Sequence, residues 1–128
     1  MKPTIAILGA SADRAKFGNK AVRAYARAGY HVYPINPKES TIEGWPAFGC
    51  LSDVPAEELD RISIYLPPAL SLPMLADIAG KKVREVWFNP GTESAEVMAR
   101  ARELGLNAVS GCSIVDLGVT PVEVDAMT

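Results

Sequence analysis

Short apolar runs of strand length alternate along this chain with amphipathic segments of helical length, the order expected of a parallel α/β domain. Ile5-Ala6-Ile7-Leu8 is continuously apolar and stops at Gly9, as a strand covered on both faces would. From Asn19 to Ala28 the residues Ala21, Val22, Ala24, Tyr25 and Ala28 follow helical spacing, with Lys20, Arg23 and Arg27 on the opposite, solvated side. Gly29 supplies the helix stop, and Tyr30 can pack back on the helix. His31 to Ile35 forms the second strand, with Pro34 placed where its ladder is already finishing. Residues 38–60 are irregular apart from a short helix over Asp53–Leu59. Ile62 to Leu66 is the third strand, and a helix over Ser71–Ala79 follows, with Ser71 as N-cap and Pro73 in its first turn. Val83 to Phe88 is the fourth strand, and Ala95, Met98, Ala101 and Leu104 mark one face of the next helix. Gly105-Leu106 repeats the Gly29-Tyr30 stop, and Asn107 to Ser110 is the fifth strand. The expectation is a single Rossmann-like, doubly wound parallel five-stranded sheet of order 3-2-1-4-5. It fills residues 1–128, with a core over 4–115 and a tail over 116–128 that lacks periodicity.

Composition agrees with one packed domain: of 128 residues 48% are hydrophobic and 22% charged, which excludes a disordered chain. Cys50 and Cys112 form no CxxC, so neither a disulfide framework nor a metal site is indicated, and a reduced cytoplasmic setting is the simplest. The apolar run behind Met1-Lys2-Pro3-Thr4 is too short for a signal sequence or a membrane span.

In such a sheet ligands bind beyond the carboxyl ends of the strands, where the strand order reverses. The segment Gly9-Ala10-Ser11-Ala12-Asp13-Arg14-Ala15-Lys16-Phe17-Gly18 joins the first strand to the first helix, where backbone N–H groups and the helix dipole can hold phosphate. It is neither the G-x-G-x-x-G fingerprint nor a Walker A loop. After the second strand an NAD site would place Asp or Glu on the ribose; here Asn36-Pro37-Lys38 stands instead, and Lys38 suits the extra phosphate of NADP or of coenzyme A.

The net charge of −2 argues against a nucleic-acid binder but hides an asymmetry. Residues 1–38 carry seven basic groups and one acid, or +6; the remaining ninety carry six and fourteen, or −8. A basic segment holding two crevice loops points to a small polyanion, although Arg23 and Arg27 can be read as the outer face of the helix.

The runs Ile5-Ala6-Ile7-Leu8-Gly9-Ala10-Ser11, Gly18-Asn19, Gly29 to Pro37 and Cys50-Leu51-Ser52-Asp53-Val54-Pro55 resemble the stand-alone CoA-binding domain proteins. These are similar to the N-terminal domain of the succinyl-CoA synthetase alpha subunit, and the resemblance spans about residues 4–115. It implies that Ser11, Ala12, Asp13 and Arg14 contact the CoA phosphates, with Lys38 near the 3′-phosphate. It also implies that Leu66-Pro67-Pro68 border the adenine and pantetheine path, and that Phe88-Asn89 meet the pantetheine arm. Catalysis in that synthetase uses a histidine of a second domain, which this chain does not reach; its own His31 lies in a strand with no partner carboxylate or serine placed by sequence. Cys112, after the fifth strand on the crevice side, reads better as a buried thiol than as one that exchanges with the CoA thiol.

The resulting expectation is a cytoplasmic carrier, sensor or regulatory module that binds coenzyme A or an acyl-CoA without catalysis. An NADP-dependent reductase and a ligand-free protein-interaction module are the alternatives. Neither nucleic acid nor membrane is an expected partner, while self-association and an enzyme partner are both open.

Overall fold

The computed structural model describes residues 2–127; Met1 and Thr128, the ends of the expected domain, lie outside the described residues. Five parallel strands form the main sheet: β1 (Thr4–Leu8), β2 (His31–Ile35), β5 (Glu58–Ile64), β6 (Lys82–Phe88) and β7 (Ala108–Ser110). A separate antiparallel hairpin pairs β3 (Thr41–Ile42) with β4 (Trp45–Pro46). The helices are α1 (Phe17–Arg27), α2 (Pro68–Ser71), α3 (Leu75–Ala79), α4 (Ala95–Glu103) and α5 (Pro121–Met127). Among the described residues no helix is long and apolar enough to cross a membrane.

The parallel five-stranded architecture is as expected, but the strand order is not. The sheet runs β2-β1-β5-β6-β7, or 2-1-3-4-5 counted within it, rather than 3-2-1-4-5. Pro34 supplies the reason. Its carbonyl faces away from β1 and accepts the Phe48 N–H at 2.9 Å, while Phe48 O accepts the Asn36 N–H at 2.9 Å. The missing Pro34 N–H lies on that same outer side, where another full strand would need a donor, so β2 is an edge. The third sheet strand therefore pairs with the other side of β1, as Ile5 with Arg61 through Leu8 with Ile64.

Alternation along the strands divides the core. Ile5 and Ile7 pack with Ala21, Val22 and Tyr25 of α1 and with Val124 of α5, whereas Leu8, Ile62, Ile64 and Phe88 pack with Leu75, Ile78, Val97 and Ala101. The helix stop after α1 forms as read: Gly29 has φ +93°, the Tyr30 N–H donates to Tyr25 O at 3.0 Å, and the two tyrosine rings meet edge to face.

Elsewhere prolines and long-range packing overrule local pattern. The expected Asp53–Leu59 helix is a 3₁₀ turn over Leu51–Asp53, followed by the start of β5 at Glu58. In place of one helix over Ser71–Ala79, Pro68 opens α2, Pro73 lies in a 3₁₀ turn over Leu72–Met74, and α3 follows. Ser71 is the last residue of α2 and stands at the N-cap position of the 3₁₀ turn, where its side chain makes no capping bond. On α4 the buried pair is Val97 and Ala101, while Ala95 is exposed. The segment expected as a tail carries α5, and Arg23, read as solvated, is buried beneath it.

Asp125 of α5 clamps this arrangement, accepting from Lys20 Nζ at 2.9 Å and from Arg23 Nη2 at 2.8 Å. Hydrogen bonding from Lys20, then from Arg23, holds its carboxyl below the usual carboxylate range. A depressed carboxyl stabilises the folded state above the unfolded pKa of about 3.9, and that contribution is lost as pH falls through the folded value. The protection factor of the Val124 amide, its exchange rate relative to an unfolded chain at the same pH, should therefore fall in acid below about pH 4 in the native chain. In Asp125→Asn the protection factor should be low already at neutral pH and lack that acid step.

Candidate functional site

The strand order reverses at β1, and a cavity of about 940 Å³ opens beyond the carboxyl ends of β1, β2 and β5. Sites of this kind measure roughly 300–1,000 Å³, so the volume suits a long ligand. One wall is the β1–α1 loop, represented by Gly9, Ala10, Ser11 and Ala15, and continued by Lys16, Phe17 and Gly18 at the start of α1. Asn36 and Pro37 follow β2, and Gly49 closes that side. Opposite stand Tyr65, Leu66 and Pro67, with Leu70 and Met74 beyond, and Pro90 to Thr92 complete the rim.

Two glycines make the wall. Gly9 has φ +84°, and a Cβ there would lie 2.9 Å from the Tyr65 carbonyl group. A Cβ on Gly18 would lie 2.1 Å from Gly9 O, so the first turn of α1 presses directly on the end of β1. This is the close helix–strand approach that the last glycine of a dinucleotide fingerprint permits, reached here through a longer loop.

The loop is held from behind. Asn19, fully buried, donates through Nδ2 to Ser11 O at 2.9 Å and accepts the Arg23 Nε–H at 2.7 Å. Arg23 Nη2 in turn donates to Arg14 O at 2.9 Å. These contacts draw loop carbonyls toward the helix. The N-cap position of α1 is Lys16, whose side chain makes no capping bond, and the first turn contains no acid. No acceptor among the described residues takes the Phe17 or Gly18 N–H, so both stand unpaired at the positive end of the dipole. Lys16 and Lys38 make no ion pair among the described residues.

Of the residues expected from sequence, Gly9, Ala10, Ser11, Lys16, Phe17, Gly18, Asn36, Pro37, Leu66 and Pro67 are brought to this cavity. Ala12, Asp13, Arg14, Lys38 and Pro68 stand just outside its lining. Asp13 is turned to its own loop, where Oδ1 accepts the Ala15 N–H at 3.0 Å. Lys38 is exposed next to Pro37, with its N–H on Asn36 Oδ1 at 2.7 Å. Phe88 and Asn89, expected at the pantetheine arm, are both buried and neither lines the cavity. Phe88 faces the α4 side of the core, and Asn89 donates to Ser63 Oγ at 2.8 Å and Ile64 O at 2.9 Å while accepting the Ser113 N–H at 2.8 Å. Cys112 is half-buried against the α1-side core and does not line the cavity, whereas Cys50 is exposed near Gly49. His31 lies away from the site, its ring 4.6 Å from Tyr33 and 5.1 Å from Trp45.

Tyr65, Leu70 and Met74 are lining residues that sequence reasoning did not select. Leu70 and Met74 are large apolar side chains left exposed at the cavity. Tyr65 sits at the end of a buried polar web: its hydroxyl lies 3.3 Å from Ser113 Oγ, which is 2.7 Å from Ser63 Oγ. Burial pushes its phenol up, so it stays neutral and forms a fixed wall. Ser113 O also accepts the Tyr25 hydroxyl at 2.7 Å, and Tyr25 Oη accepts from Arg61 at 2.9 Å.

A profile described as a CoA binding domain matches residues 3–118. Over 78 residues, 61% of this chain and 11% of the relative, the sequence is 31% identical to the ADP-forming acetate–CoA ligase I of Archaeoglobus fulgidus. A conserved hypothetical protein from Pyrococcus furiosus superposes with a TM-score of 0.81 at 29% identity, covering 89% of this chain and 98% of its own. The dinucleotide-forming acetyl-coenzyme A synthetase 1 of Ca. Korarchaeum cryptofilum, solved with phosphate and ADP, gives 0.71 at 28% identity over 83% of this chain and 25% of its own. The same architecture thus occurs both as a whole short chain and as a small part of longer synthetases.

Two substitutions test the scaffold around the site. Gly18→Ala should cost about 1–3 kcal/mol, because backbone rather than a flexible side chain opposes the new methyl. Asn89→Ala, which leaves buried partners unsatisfied, should also cost about 1–3 kcal/mol. Urea denaturation checks both, as a lower midpoint at unchanged slope.

Proposed function

This chain belongs to the CoA-binding domain family, and from that premise we propose that it holds coenzyme A or an acyl-CoA as a carrier, sensor or regulatory module. The observation that carries the reading is the open N-terminus of α1, with its two free N–H groups and Lys16, set against a long and largely apolar cavity. A diphosphate at that terminus accepts the free donors and meets the positive end of the helix dipole. Leu66, Pro67, Leu70 and Met74 offer apolar surface to the rest of the molecule, adenine or pantetheine. Lys38, beside Pro37 at the rim, supplies a cation for the 3′-phosphate.

A non-catalytic role is favoured by what the lining contains. Its one ionisable group besides the neutral Tyr65 is Lys16, and no His, Cys, Asp or Glu faces the cavity among the described residues. Nucleophilic chemistry on a thioester needs an activated group, and both aliphatic hydroxyls of the lining are engaged by backbone: Thr92 Oγ1 donates to Asn89 O at 2.7 Å, and Ser11 Oγ accepts the Asp13 N–H at 3.0 Å. An acyl group held here would react through a partner enzyme.

Titration calorimetry with CoA, dephospho-CoA, NADP and NAD tests the reading. CoA should bind most tightly, and Lys38→Ala should lose about 1–3 kcal/mol of CoA affinity while leaving dephospho-CoA unchanged. Equal affinity for CoA and dephospho-CoA would remove Lys38 from the site, and preference for NADP would replace the ligand.

A further inference from the structure

The tip of the β3–β4 hairpin carries a carboxylate across the anion-facing loop. Glu43 and Gly44 connect the two strands, with φ +49° and +81°. Positive φ at both central residues is the geometry of a type I′ turn, which favours Asn, Asp or Gly at the first of them. Glutamate there is a strained choice for the backbone. Its side chain, however, is well placed: Oε1 accepts from Arg14 Nη1 at 3.2 Å, and Oε2 accepts from Asn19 Nδ2 at 3.1 Å. The same Asn19 nitrogen donates to the carbonyl of Ser11, which lines the cavity. The carboxylate is therefore one hydrogen bond removed from the loop that faces the ligand. Arg14, whose side chain is half exposed, is drawn to the hairpin and away from the cavity.

We propose that Glu43 is a charge-selecting residue of this site, standing in for a ligand phosphate by occupying Arg14 until a polyanion competes for it. This rests on reading the cavity as a phosphate site and adds a residue to its selectivity. A phosphate group entering at α1 is repelled by Glu43 and attracted by Arg14, so it competes with the carboxylate for the guanidinium. Dense negative charge does this, whereas a weakly charged ligand does not. Half exposure of Arg14 keeps the internal pair weak enough to exchange.

The test is binding of inorganic pyrophosphate and of CoA to the whole chain at low ionic strength. Glu43→Gln should bind pyrophosphate about two- to fivefold more tightly than the native protein, and the gain should vanish when Arg14→Ala is added. Glu43→Asn, which also relieves the turn, should show the same gain with raised thermal stability, so a folding defect cannot imitate the outcome. Unchanged or weaker pyrophosphate binding in both variants overturns the proposal, as does a gain that survives loss of Arg14. CoA distinguishes the two levels. Tighter pyrophosphate binding with no CoA binding by any form leaves Glu43 selecting an anion and removes the coenzyme reading. CoA binding that neither variant strengthens does the reverse.

Discussion

The ligand-facing edge depends on one close approach, that of the first turn of α1 to the end of β1. A methyl group on Gly18 would stand 2.1 Å from the carbonyl oxygen of Gly9, so no other residue seats the helix at this depth without moving backbone. That seating aims the N-terminus of α1 into the crevice at the reversal of strand order. It also forces residues 10–16 to arch outward, where Asn19 and Arg23 hold the arch by its Ser11 and Arg14 carbonyls. The cavity is the space left between this arch and the segment after β5.

Charge near the site is divided by use rather than pooled. Of the basic surplus in residues 1–38, Lys20 and Arg23 serve the docking of α5 through Asp125. Arg14 is held by Glu43, and Lys16 and Lys38 remain at the crevice. The basic groups left at the crevice are therefore few, not a broad basic face. The same chain of contacts links the C-terminal helix to the loop, because Arg23 touches Asp125 and Arg14 O at once.

Legibility of the site followed how local each determinant is. The β1–α1 loop, Asn36-Pro37 and Leu66-Pro67 were readable because every such sheet places its ligand beyond the carboxyl ends of its strands. Phe88 and Asn89 obey the same rule by position, yet they are turned into the core, where Asn89 is consumed by Ser63, Ile64 and Ser113. Which way a strand-end side chain turns is set by the partner on that face, α4 for Phe88 and the Ser63–Ser113 web for Asn89, and no spacing encodes it. Glu43 was equally invisible, since its contacts with Arg14 and Asn19 join positions more than twenty residues apart.

Periodicity alone determined the parallel α/β class, the five strands of the main sheet and the stop after α1, because each rests on contacts within one element or turn. Strand order was decided by tertiary pairing: Pro34 withholds a donor from the outer edge of β2, Phe48 closes that edge, and the third sheet strand pairs with β1 instead. The fate of the charges was decided there too. Arg23 looks solvated on a helical wheel and is buried in the fold, because Asp125 returns from the far end of the chain to meet it. A sequence states which groups carry charge, while the distance to the opposite charge exists only once the chain has closed.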